Sequence, residues 1–156
     1  MRRPSLHMVI VAALMAFGVM VSCTSRGDFS RFRDIDASRG WAYRDTVRFD
    51  TQRPDSLALG SLTVAVRHNN EYQFANLWLE VCYNNRGRLH RDTVNLRLAD
   101  LYGRWLGKGF GSSRQAESVI AQSVVPAPGS EVTVRQIMRV DTLRGVDAVG
   151  VIFHAE

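Results

Sequence analysis

Residues 8–21 form a fourteen-residue run without a charge, preceded by Arg2 and Arg3 and followed at once by Ser22 and Cys23. Spanning a bilayer as a helix takes about 20 apolar residues. A shorter run behind a basic start and before a small residue predicts a cleaved export signal over residues 1–22 instead. What folds must then be built from the remaining 134 of 156 residues. That length suits one domain with its own core and is short for two.

Met20-Val21-Ser22-Cys23 resembles the lipoprotein cleavage box, with Met20 where Leu is commoner. A thiol is needed there as the nucleophile that takes up diacylglycerol, and a small residue before it lets the peptidase reach the bond. Cys23 is therefore expected to be the lipidated first residue of the mature chain. Its covalent diacylglycerol and fatty acyl groups are the only additions expected, with no cofactor and no metal. Each buried methylene contributes about 0.8 kcal/mol, while a basic side chain near an anionic surface adds about 1 kcal/mol. Lipid, not charge, is expected to hold this protein to the membrane.

Charge excludes one class of partner. Outside the signal, 18 basic residues stand against 15 acidic ones, and all the basic ones except Lys108 are arginines scattered singly. A nucleic-acid surface would gather them into a stripe, so no nucleic acid is expected. With Cys23 committed to lipid, Cys82 is the one remaining thiol and no internal disulfide can form. Cys82 shares a strand face with Trp78 and Glu80 and reads as a small half-buried residue.

Residues 23–40, rich in Ser, Gly and alternating charge, read as a lipidated tether. From Trp41 onward the apolar spacing is two, the period of a strand. Tyr43, Val47 and Phe49 share one face, as do Leu62, Val64 and Val66 before His68-Asn69-Asn70-Glu71 interrupts. Leu77, Leu79, Val81 and Tyr83 lead to Asn84-Asn85-Arg86-Gly87, a hairpin turn by composition. Its return strand carries Val94, Leu96 and Leu98. Runs at 118–125 and 131–140 are divided by Pro126-Ala127-Pro128-Gly129, which cannot continue a ladder. The last run, 146–153, is apolar on both faces apart from Asp147, as an interior strand would be. These features predict an all-β domain over residues 41–156, a single antiparallel β-sandwich (Ig-like or jelly-roll-like) of about seven strands, in preference to a barrel.

No residues show the spacing of a catalytic or metal site. The histidines lie far apart, and the carboxylates of Asp92 and Asp100 have no fixed separation that would make them a glycosidase pair. The stretch from Gly103 to Gly111 carries alternate glycines but lacks the strand-to-helix context and the Gly-Lys-Ser/Thr ending of a phosphate loop. It reads as a structured loop with Trp105 and Phe110 folded back on the sheet, or with Trp105 exposed to a partner. The candidate interaction residues are Asp100, Tyr102, Arg104, Trp105, Lys108 and Phe110.

Arg67-His68-Asn69-Asn70 with Tyr72 and Asn76-Leu77, Asp92-Thr93, Leu98-Ala99-Asp100, Gly103, Trp105-Leu106-Gly107, Gly109-Phe110, Gln136-Ile137-Met138-Arg139, Leu143, Gly145-Val146 and Val149-Gly150 together resemble the gliding motility lipoprotein GldH family of Bacteroidetes-type bacteria. That resemblance implies a lipid-anchored, non-enzymatic part of machinery for gliding, linked to type IX protein secretion, whose partners are the membrane and other envelope proteins. It carries over no catalytic residues, and in non-motile bacteria of the group it implies an envelope or secretion-assembly role. Thr24-Ser25-Arg26-Gly27-Asp28 lacks a dense acidic run of the kind associated with surface export, which favours the periplasmic face of the outer membrane. The competing expectation is a glycan- or peptide-binding module presenting Trp105, Trp78 or Tyr102 to its ligand.

Overall fold

The computed structural model describes residues 28–51 and 59–156, and every regular element among them is a strand. In chain order they are β1 (Phe29–Asp34), β2 (Trp41–Ala42), β3 (Thr46–Asp50), β4 (Gly60–His68), β5 (Asn76–Asn85) and β6 (Arg88–Arg97). They continue as β7 (Lys108–Phe110), β8 (Ser113–Val124), β9 (Glu131–Gln136), β10 (Thr142–Leu143) and β11 (Val146–Ala155). One sheet has the order β1-β11-β4-β8-β7 and the other β3-β9-β5-β6, with β2 and β10 forming a separate short pair. Every pairing is antiparallel.

Alternation drives the two sheets together. Leu62, Val64 and Val66 from β4 and Val149, Val151 and Phe153 from β11 meet Leu77, Leu79, Val81, Val132 and Val134 of the other sheet in one buried cluster. Each such side chain removed from water contributes about 1.5–3 kcal/mol, enough in sum for a core without a disulfide. β11 lies between β1 and β4, as its two-faced apolar pattern predicts. The β5–β6 hairpin closes as the sequence suggests: Asn85 pairs with Arg88, and Arg86 and Gly87 between them have φ of 51° and 80°. Those signs match the twist of the flanking strands.

The expected seven strands are the longer ones from β3 onward, and the structure adds four among the described residues. Three of these have only two or three residues. The fourth is a correction: Phe29–Asp34, expected within a tether of residues 23–40, is an edge strand paired along its length with β11. The folded unit includes β1 and so does not start at Trp41. β1 escapes a period-two search because its aromatics are three apart and serve opposite faces. Phe29 stacks on Phe153 at 5.6 Å, on the core side. Phe32 covers the other side, pairs in register with Gly150, and has the Arg67 guanidinium 4.1 Å from its ring centroid. Any Cβ at Gly150 would meet the Phe32 ring at 2.5–2.7 Å, so glycine makes the space. Tyr43, expected on a face with Val47 and Phe49, instead sits in a turn and is 41% exposed; Trp41 is the buried ring, with its Nε1 donating to the Asp45 carbonyl at 3.0 Å.

The registers give the sandwich two ends. Phe29, Gly60, Val124, Asp50 and the β5–β6 hairpin lie at one, where Arg86 N donates to the Val125 carbonyl at 3.0 Å. His68, Asn76, Arg97 and Val146 lie at the other.

Candidate interaction surfaces

At the end away from Phe29, β6 runs into residues 98–107, which are tied down at both sides. Leu98 N and Ala99 N both donate to the Ala75 carbonyl, and Leu106 N donates to the Leu98 carbonyl at 2.7 Å. Ala99 and Trp105 form an isolated antiparallel bridge. Asp100 organises the tip. Its Oδ1 accepts from Tyr102 N at 2.8 Å and Arg104 N at 2.9 Å, and its Oδ2 accepts from Arg104 Nε at 2.7 Å. The bond from the Arg104 backbone, with the guanidinium beside it, holds the Asp100 carboxyl below its ordinary value. A carboxylate bonded in this way stabilises its own turn.

This clamp sorts the expected loop residues into different environments. Tyr102 is 85% exposed and Leu101, absent from the sequence-derived set, is 90% exposed. The Arg104 guanidinium lies 5.5 Å from the Tyr102 ring centroid. Trp105 turns inward and packs against the core, its ring 4.6 Å from that of His68. Lys108 and Phe110 belong to β7, in register with Gln115 and Ser113. The Trp105 ring is thus folded onto the sheet, and Leu101 with Tyr102 supplies the exposed apolar tip. Leu101 was findable: a residue directly after a turn-forming Asp projects from the turn.

A second surface lies beside β5. β9 stops pairing with β5 at Gln136, opposite Leu79. The fully buried Gln136 side chain then shapes the following segment, its Oε1 accepting from Met138 N at 2.9 Å and its Nε2 donating to the Val140 carbonyl at 3.4 Å. Ile137 N donates to the Trp78 carbonyl at 3.0 Å, and Trp78 N donates to Met138 Sδ at 3.3 Å. The result is an open groove of about 570 Å³ lined by Phe74, Asn76, Trp78, Ile137, Met138, Arg139 and Val140. Trp78 is 41% exposed there. Asn76 donates across β5–β6 to Asn95 Oδ1 at 2.7 Å. Sequence reading named Trp78 only as one ring among three and missed Phe74 and Met138. The signal was the loss of alternation after Gln136.

Two buried phenols are occupied structurally. Tyr83 OH donates to Asp92 Oδ2 at 2.7 Å, and burial together with that bond pushes the phenol up to about 12. Burial alone pushes Tyr72 up, and its OH donates to the Asn76 carbonyl at 2.9 Å. Cys82 is half-buried on the outward face of β5. Among the described residues no group of three His, Cys, Asp or Glu side chains is arranged to hold a metal ion. Cys23 and residues 1–22, expected as an export signal, lie outside the described residues.

The model of the family described as GldH lipoprotein matches residues 29–152, from the first residue of β1 into β11. The chain is 27% identical over 158 residues to the gliding motility lipoprotein GldH of Flavobacterium johnsoniae, covering 96% of each. It is 26% identical over 140 residues to a gliding motility lipoprotein GldH homolog of Christiangramia forsetii, covering 83% of this chain and 84% of that one.

Proposed function

The chain belongs to the GldH lipoprotein family, and from that premise we propose that it is a lipid-anchored, non-enzymatic envelope protein that docks components of a gliding motility apparatus linked to type IX secretion. The observation that carries the reading is the family match across nearly the whole sandwich, joined to the lipoprotein box at residues 20–23. In this reading Cys23 bears the lipid and sits in the outer membrane, with the domain facing the periplasm.

Five residues lie between Cys23 and Phe29, which are six residue steps apart. At about 3.3–3.6 Å per step those six steps reach no further than roughly 20–22 Å. The Phe29 end of the sandwich therefore stays near the lipid, and the opposite end, with Leu101, Tyr102 and the Trp78 groove, points toward the partners. An apolar groove with a half-exposed indole suits a protein contact.

One observation supports a second reading, a glycan-binding module: the Trp78 ring lies in an open groove beside the amides of Asn76 and Asn95. The experiment is mass spectrometry of the native protein from membrane fractions, combined with photocrosslinking from position 78 in cells. Acylated Cys23 with motility or secretion subunits crosslinked is the expected result. Cys23 without lipid would remove the anchor, and binding of free oligosaccharide with no protein crosslink would replace docking by glycan recognition.

A further inference from the structure

The outward face of the four-stranded sheet carries a feature that the docking reading does not use. Directly beside the Trp78 groove, toward the anchored end, a depression of about 390 Å³ is lined by Arg44, Arg48, Arg91 and Arg135, with Glu80 and Cys82 on its β5 side. Four strands deliver Arg48, Arg135, Glu80, Cys82 and Arg91 to one place through register, Arg135 opposite Glu80 and Thr46 and Arg91 opposite Cys82, while Arg44 joins them from the turn before β3.

Two carboxylates organise the arginines without cancelling them. Glu80, with its side chain only 19% exposed, accepts from Arg135 at 3.0 Å and lies 3.8 Å from Arg91. Arg48 pairs with Glu131 at 3.1 Å at the rim. Arg135 also lies 5.5 Å over the Tyr43 ring. Arg44 has no acidic partner among the described residues, and Arg48 and Arg91 keep 63% and 67% of their side-chain surface exposed. Guanidinium groups held in position with their donors still facing solvent suit the planar geometry of carboxylates.

We infer that this face receives an acidic segment of a partner protein, its carboxylates on Arg44, Arg48 and Arg91 and an apolar side chain beside Trp78. The inference rests on the docking reading and adds the chemistry of the partner. Trp78 and Glu80 are alternate residues of the same strand face, so the apolar groove and the basic depression form one continuous strip. A second copy of this chain placed face to face would set arginine against arginine. A lipid surface fits poorly, because the strip lies along the flank of the sandwich while the Phe29 end lies toward the anchor.

The test uses the purified lipid-free chain and a short fluorescent oligoglutamate peptide with a central leucine, its leucine-to-serine counterpart, and vesicles of equal parts phosphatidylethanolamine and phosphatidylglycerol. The leucine peptide should bind, with affinity falling as salt rises. The Arg48→Ala/Arg91→Ala double variant, altered only at exposed positions, should bind about fivefold to tenfold more weakly. Trp78→Ala should abolish the advantage of leucine over serine. Absence of peptide binding at low salt, equal binding by the double variant, or capture of the vesicles but not the peptide would each overturn the inference. An acylated protein that crosslinks to envelope subunits in cells yet ignores the peptide would leave the docking reading intact and reject this one.

Discussion

The indole of Trp105 and the imidazole of His68 lie 4.6 Å apart at an interplanar angle of 59°, joining the loop after β6 to the end of β4. His68 is completely buried and Tyr72 packs on it at 5.8 Å. Trp105 is therefore a support for the loop, while Tyr102 is carried at its tip. Trp105→Ala should cost about 2–4 kcal/mol of unfolding free energy. Tyr102→Ala, which loses only an exposed contact with Arg104, should cost less than about 1 kcal/mol. Urea denaturation of the two variants measures both, and equal small losses would refute the supporting role of Trp105.

The same histidine makes stability depend on pH. Its Nδ1 lies 3.3 Å from the Asn69 carbonyl and its buried Nε2 has no hydrogen-bond partner among the described residues. Burial lowers its pKa from 6.5; the Asn69 carbonyl and Asp147 oppose this shift and Arg114 adds to it. The unfolded chain then binds the proton more readily than the native one. Stability should rise with pH across the window between the depressed native value and 6.5, and fall as acid is added below 6.5. His68→Phe should flatten that part of the profile, measured as the urea midpoint from neutral pH downward. A variant with the same slope as the parent would exclude His68 as its source.

The legibility of this fold follows from how each residue announces its surroundings. β5 and β9 alternate cleanly because one face meets the core and the other is half-buried or exposed, whereas β4 alternates in residue type although Thr63 and Ala65 on its second face are buried as well. β1 was hidden because Phe29 and Phe32 serve two faces, and its second contact depends on the absent side chain of Gly150. Among candidate site residues, the Asp100 turn was readable from local chemistry. The inward turn of Trp105 depends on His68, distant in sequence, and the Trp78 groove depends on the long-range arrangement of Gln136 and Met138. Local pattern carries the first kind of information and not the second.

Two glycines with nearly the same backbone should respond very differently to alanine. Gly87 and Gly145 have φ of 80° and 75°. At Gly87, in the β5–β6 turn, an added Cβ meets nothing within 4 Å. Only the left-handed conformation is penalised there, about 1–2 kcal/mol. At Gly145 the Cβ would run into the backbone of Glu71 and Tyr72, next to the Asn69 N–H that donates to the Gly145 carbonyl at 2.9 Å. Gly145→Ala should therefore destabilise by at least about 3 kcal/mol. Thermal unfolding of both variants checks the ordering, and a Gly145→Ala protein as stable as Gly87→Ala would contradict the close approach.

The edge strand gives the test that separates a folded start at Phe29 from a tether extending to residue 40. β1 contributes six residues of ladder to β11, and removing it would leave the backbone donors and acceptors of β11 exposed on that side. It would also strip Phe29 from Phe153 and Phe32 from Gly150 and Arg67. An uncovered apolar edge is a template for pairing with other chains. A mature-length protein lacking residues 29–34 should lose stability and self-associate in proportion to its concentration, seen by light scattering and a lowered urea midpoint. Phe32→Ala, which keeps the ladder, should cost only about 1–2 kcal/mol and remain monomeric. If the truncated chain were as soluble and as stable as the parent, β1 would be a tether after all; if Phe32→Ala alone caused association, the aromatic cover and not the backbone ladder would be what protects β11.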